Sequence, residues 1–182
     1  MMGHTRLLTV TLLATAALLM SRPALAGPPL LCHPFEIGAA RSLPMGRDWQ
    51  EIDPTYDASH LVADTLAILT PDAPVKVRME TIRRATVYAS RSRKLADALL
   101  TALRDRAQHP DPPIAALAVF DFGYLVETYR EGVWAFRGGA LPAVDGIDGY
   151  QLVLKAQAMQ SDAQMQEAAN LIAAGLPKKA TK

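Results

Sequence analysis

"IAALAVFDFGYLVETYRE", residues 114–131, is apolar around most of a helical circumference. That pattern predicts a helix packed on two sides rather than one lying on a surface. Of its three acids, one falls on the apolar side. At 100° per residue, Asp121 falls at the azimuth of Ile114, Leu117 and Leu125, on the apolar side. An isolated buried carboxylate costs many kcal/mol, so Asp121 needs a partner. Arg78 falls toward the apolar side of its own helix, beside Ile82 and Ala85. The expectation is a structural ion pair between Arg78 and Asp121. A catalytic carboxylate is the other reading, and a hydrolase acting on cell-wall material through Asp121 and Glu127 is its concrete form. No nucleophile or histidine stands near them in sequence to complete that mechanism.

Outward from this segment the pattern stays helical. Upstream, Asp53-Pro54 is a start signal, because aspartate caps free amides and proline suits a first turn. The helix it predicts runs to about Leu69. A second follows over Val75 to Ala89 and a third over Ser92 to Gln108, ended by "HPDPP" at 109–113. Downstream, 132–149 holds five of the eleven glycines and reads as an irregular loop. Two more helices are predicted, Tyr150 to Met159 and Asp162 to Ala174, before a flexible tail at 176–182. The fold class is therefore all-α: three antiparallel helical hairpins in one domain spanning 54–175.

Two of these segments, "DAPVKVRMETIRRATVYA" (72–89) and "SDAQMQEAANLIAAG" (161–175), carry an acid at the start, apolar residues at three-to-four spacing and small residues at the end. Each resembles the second helix of a HEAT-type repeat. The resemblance implies an α-solenoid-like stack that binds another macromolecule along one face.

At the N-terminus, Arg6, an apolar run from Leu7 to Met20, and Ala24-Leu25-Ala26 have the three parts of a secretory signal over 1–26. Cleavage is expected after Ala26, giving a periplasmic or secreted protein with no membrane span; an uncleaved signal would make an anchor instead. Leu31 precedes the cysteine where lipid attachment would need a small residue. Residues 27–53, with four prolines and no helical period, read as an extended arm.

The arm holds the single cysteine, Cys32, directly before His33. A thiolate and an imidazole both suit copper or zinc. Adjacent residues of an extended strand point to opposite sides, however, and no HxxxH or CxxC spacing supports them. Burial of Cys32 as a small apolar anchor beside Leu30, Leu31 and Phe35 is the simpler reading, and an intermolecular disulfide is the other.

Charge is nearly balanced overall, 19 cations against 18 acids, but unevenly distributed. Residues 76–106 carry nine cations and three acids, and 111–148 six acids and two cations. Arg83, Arg84, Arg91, Arg93 and Lys94 thus form a candidate basic face for a protein or an anionic envelope component, or for self-association. Nucleic acid is not expected, since no aromatic residues interleave with the charges. A second candidate surface is "GVWAFRGG", where Trp134, Phe136 and Arg137 sit among glycines as a binding lip. No cofactor motif is present: there is no GxSxG, HExxH, P-loop or GxGxxG. The function expected is an exported helical-repeat-like binding or assembly module without catalysis. The alternative is a small periplasmic redox or metal-handling protein using Cys32 and His33.

Overall fold

The structure is a computed structural model that describes residues 30–108, 112–137 and 139–176. The expected signal 1–26 with its cleavage point, His109 and residues 177–182 of the tail lie outside the described residues. Among the described residues the protein is all-helical. It has six α-helices: α1 Leu61–Ile68, α2 Val75–Ala89, α3 Arg93–Arg106, α4 Pro112–Ala135, α5 Gly149–Met159 and α6 Ala163–Gly175. No strand occurs among these residues, and no helix among them is long and apolar enough to cross a membrane.

Side-chain caps mark several starts. Ser92 Oγ accepts from the Leu95 amide at 3.4 Å, Asp148 from Gln151 at 2.9 Å, and Asp162 from Gln164 and Met165 at 2.7 and 3.1 Å. Two boundaries differ from expectation. Asp53 does accept bonds from the amide and hydroxyl of Thr55 at 2.8 and 2.7 Å, but this closes a local turn. A second aspartate, Asp57, then caps the 3-10 turn Ala58–His60, and the α-helix begins only at Leu61. At the other boundary, α4 continues through Gly132 to Ala135, past the expected start of the irregular loop. Gly132 is there for space: a Cβ would overlap Leu141 Cδ1. Leu141 folds back against the helix and needs that gap.

Helix α4 is central. It touches α2, α3, α5 and α6, and Phe120, Tyr124, Leu125 and Tyr129 along it are fully buried. Its closest neighbour is α5, and two glycines permit the approach. A Cβ on Gly123 would lie 2.8 Å from the Gly149 carbonyl oxygen. α2 reaches both α1 and α6 besides α4. Each buried Leu, Ile or Phe contributes about 1.5–3 kcal/mol, and the continuous cluster from Leu43 through Tyr129 to Ile172 is the main source of stability.

α2 is covered on nearly every side, with 13 of its 15 residues buried. Residues 30–53 supply the outer cover. They contain no helix and lie on α2, with Leu30, Leu31 and Leu43 at most 1% exposed. A non-helical segment brings backbone groups that must be satisfied, and helix side chains do so. Glu80 accepts from the Phe35 amide at 3.0 Å. Arg83 donates to the carbonyls of Leu31 at 3.2 Å and Trp49 at 3.4 Å, and Arg84 to that of Leu43 at 2.5 Å. Tyr88 donates to the Pro44 carbonyl at 2.9 Å and accepts from the Asp53 amide at 3.0 Å. From α4, Glu131 accepts from the Leu30 amide at 3.0 Å.

Candidate functional site

The charged residues from α2 through the start of α3 divide into those used inside the fold and those left for solvent. Arg78 Nη1 donates to Asp121 Oδ2 at 2.6 Å, with both side chains wholly buried. Its Nε donates to the Ala73 carbonyl at 3.1 Å and its Nη2 to that of Thr70, while Arg106 donates to that of Leu69. The two guanidiniums thus close the C-terminal end of α1, where the helix dipole favours positive charge. Burial pushes the Asp121 carboxyl up, with Arg78 and Arg106 pulling against that shift.

Arg83 and Arg84 are not on a solvent-facing basic surface. Arg83 is 2% exposed and grips Glu80 with two bonds of 2.7 and 2.8 Å; Arg84 adds a third at 2.6 Å. Burial raises the Glu80 carboxyl, but bonds and charge from Arg83, then Arg84, hold it below its ordinary value. The reason is the docking of residues 30–53, whose Leu31, Leu43 and Trp49 carbonyls take their donors from these arginines. Arg93 remains at the surface, paired with Asp97 at 2.9 Å. Arg91 and Lys94 are exposed and have no ion pair among the described residues. Of the acid-rich stretch, Asp121 and Glu127 are buried, the latter paired with Arg130, while Asp145 and Asp148 are exposed. Asp121 and Glu127 take different partners and do not form one site.

Two candidates far apart in sequence do meet. Arg91, from the α2–α3 turn, and Phe136 and Arg137, just past α4, line one cleft of about 560 Å³ with Gln50, Ser90, Ala135 and Gly139. The Ala140 amide donates to the Ser90 carbonyl at 2.9 Å and fastens the two walls together. On the third side, Arg91 donates to the Gln50 carbonyl at 3.2 Å, and Trp49 lies 6.1 Å from Phe136 between ring centroids. Two guanidiniums and an aromatic ring therefore face a cleft with no carboxylate among its described lining residues. Arg137 has φ 44°, the sole non-glycine with positive φ among the described residues. Such backbone conformations cost on the order of 1 kcal/mol and concentrate at functional sites.

Beside the cleft, Trp134 on the last turn of α4 is 71% exposed. Lining residues Gln50 and Ser90 had no signal in the sequence, whereas Gly139 lies within "GVWAFRGG". Glu80 had one, its three- and four-residue spacing to Arg83 and Arg84.

Cys32 is half-buried beside Glu131. Burial pushes its thiol up, Glu131 pushes further, and Arg83 opposes. Nδ1 of His33 is buried without a hydrogen-bond partner among the described residues. No group of three His, Cys, Asp or Glu side chains among them is placed to hold a metal ion. Burial, with Glu127 adding to it, raises the Glu131 carboxyl to about 7 despite the bonds from the Leu30 and Leu31 amides.

No protein family, curated protein or solved structure matches this chain.

Proposed function

We propose that this protein is an exported binding module without catalysis of its own, and that the cleft lined by Arg91, Phe136 and Arg137 receives an anionic group of an envelope component. In this reading residues 1–26 are a signal removed after Ala26, residues 27–53 an extended arm, and α1/α2, α3/α4 and α5/α6 three hairpins of a HEAT-like domain. The observation that carries it is the convergence of Arg91 and Arg137, from positions 46 residues apart, on one cleft with no acid among its described lining residues. Guanidiniums are suited to oxyanions because their donors form a planar fork matching carboxylate or phosphate. Buried Arg78 and Arg83 have internal carboxylate partners, whereas Arg91 and Arg137 have none among the described residues.

The redox or metal reading of Cys32 and His33 has the raised thiol against it, since the thiolate is the reactive and ligating form.

The test is titration with glycerol 3-phosphate, followed by NMR of the arginine Nε–H signals. Arg91 and Arg137 are expected to shift together, and Arg91→Glu/Arg137→Glu to abolish saturation while the fold persists. Unperturbed Arg91 and Arg137 signals would end the proposal.

A further inference from the structure

We infer that this cleft and the adjoining end of α4 form a peripheral docking surface for anionic phospholipid, with headgroup phosphate held by Arg91 and Arg137 and Trp134 entering the membrane interface. The inference rests on the anion-binding reading above and names the source of the anion.

Three observations favour a lipid surface over a soluble anion. First, Trp134 is the most exposed large hydrophobic residue among those described, and its neighbour Val133 is 43% exposed. A small soluble anion would gain nothing from them. A bilayer interface would, because tryptophan is enriched at headgroup depth, where its ring is apolar on one side and its N–H meets polar groups. Second, this apolar pair is joined directly to the cationic site. Ala135, Phe136 and Arg137 follow in sequence and line the cleft, and the Arg137 amide donates to the Trp134 carbonyl at 3.4 Å. Third, the charge is of the right sign and available. Arg91, Lys94 and Arg137 are exposed without ion pairs among the described residues. The acids of the same helix are engaged elsewhere: Glu127 with Arg130, Glu131 with the Leu30 amide, and Asp121 with Arg78.

Attachment would be reversible. A few cations beside anionic lipid and one interfacial aromatic give weak binding that salt screens.

The experiment is sedimentation of the protein with phosphatidylcholine vesicles, with and without phosphatidylglycerol. Binding is expected only to vesicles containing phosphatidylglycerol, with release by added salt. Arg91→Glu/Arg137→Glu and Trp134→Ala should each weaken it about tenfold or more. Brominated lipids in the same vesicles should quench tryptophan emission of the unaltered protein, and Trp134→Phe should remove that quenching. Absence of vesicle binding, or binding by Trp134→Ala equal to the unaltered protein, overturns the inference. If glycerol 3-phosphate still shifts Arg91 and Arg137 while vesicles do not bind, the lipid surface falls and the anion site stands. If neither binds, both fall.

Discussion

Nη1 of Arg78 lies 2.6 Å from Oδ2 of Asp121, joining α2 to α4 where neither side chain reaches solvent. Removing one partner leaves the other charge buried and uncompensated. Asp121→Ala should therefore lower unfolding free energy by about 3–5 kcal/mol in urea titration. Arg78→Met with Asp121→Leu should cost less, because only the partly exposed Arg106 then lacks its carboxylate and no wholly buried charge is stranded. Equal losses in the two variants would show that the pair is not what the site depends on.

Arg83 and Arg91 are eight residues apart in one basic stretch, yet they should behave oppositely. Arg83→Ala removes donors to Leu31, Trp49 and Glu80 inside the fold, and should destabilise by about 3 kcal/mol. It should also expose residues 30–53 to proteolysis. Arg91→Ala, at the surface, should stay within about 0.5 kcal/mol of the unaltered protein by thermal unfolding.

Glu131 gives stability a pH dependence of definite sign. Its carboxyl is raised to about 7 in the folded protein, chiefly by burial, against an ordinary value of 4.5 unfolded. The folded state therefore holds this proton more tightly, and the stability it contributes is complete below pH 4.5 and lost as pH rises toward 7. The loss should be on the order of 2 kcal/mol once residual exposure is allowed for. Glu131→Gln should flatten the profile across that window. Glu80, held low by Arg83 and Arg84, acts with the opposite sign: its contribution is lost as pH falls below 4.5. Unfolding free energies measured from pH 3 to 8 should show both limbs.

Arg137→Gly should relieve the positive φ and leave stability unchanged or raised by up to about 1 kcal/mol. The same variant should lose the glycerol 3-phosphate response, a separation of stability from binding that calorimetry and NMR can read on one sample. A stability loss above 1 kcal/mol would mean that the side chain, not the backbone, holds this turn.

Gly123→Ala places a methyl 2.8 Å from the Gly149 carbonyl oxygen and from Leu152 Cβ. Backbone cannot yield as a flexible side chain does, so α5 must move outward. The expected cost is about 1–3 kcal/mol by thermal unfolding.

Helix positions were legible from local pattern, and α2 matches its expected span of Val75 to Ala89. Capping aspartates and serines marked other starts, since that chemistry involves neighbours in sequence. The end of α4 was misread because Gly132 resembles a helix stop, whereas its role is to admit Leu141 from the following loop. The basic face was misread for a related reason. Arg83, Arg84 and Arg91 look alike in a charge count, and only the position of residues 30–53 separates them.

The sequence by itself determined the helical class, the apolar character of α4 and the need of Asp121 for a buried partner. These follow from periodicity and from the cost of burying charge, which hold whatever the tertiary arrangement. Tertiary structure alone decided which cations are structural and which face solvent, and brought Arg91 to Arg137. The physical reason is that desolvation and pairing depend on what lies across from a side chain. For α2, that is a segment more than 30 residues upstream.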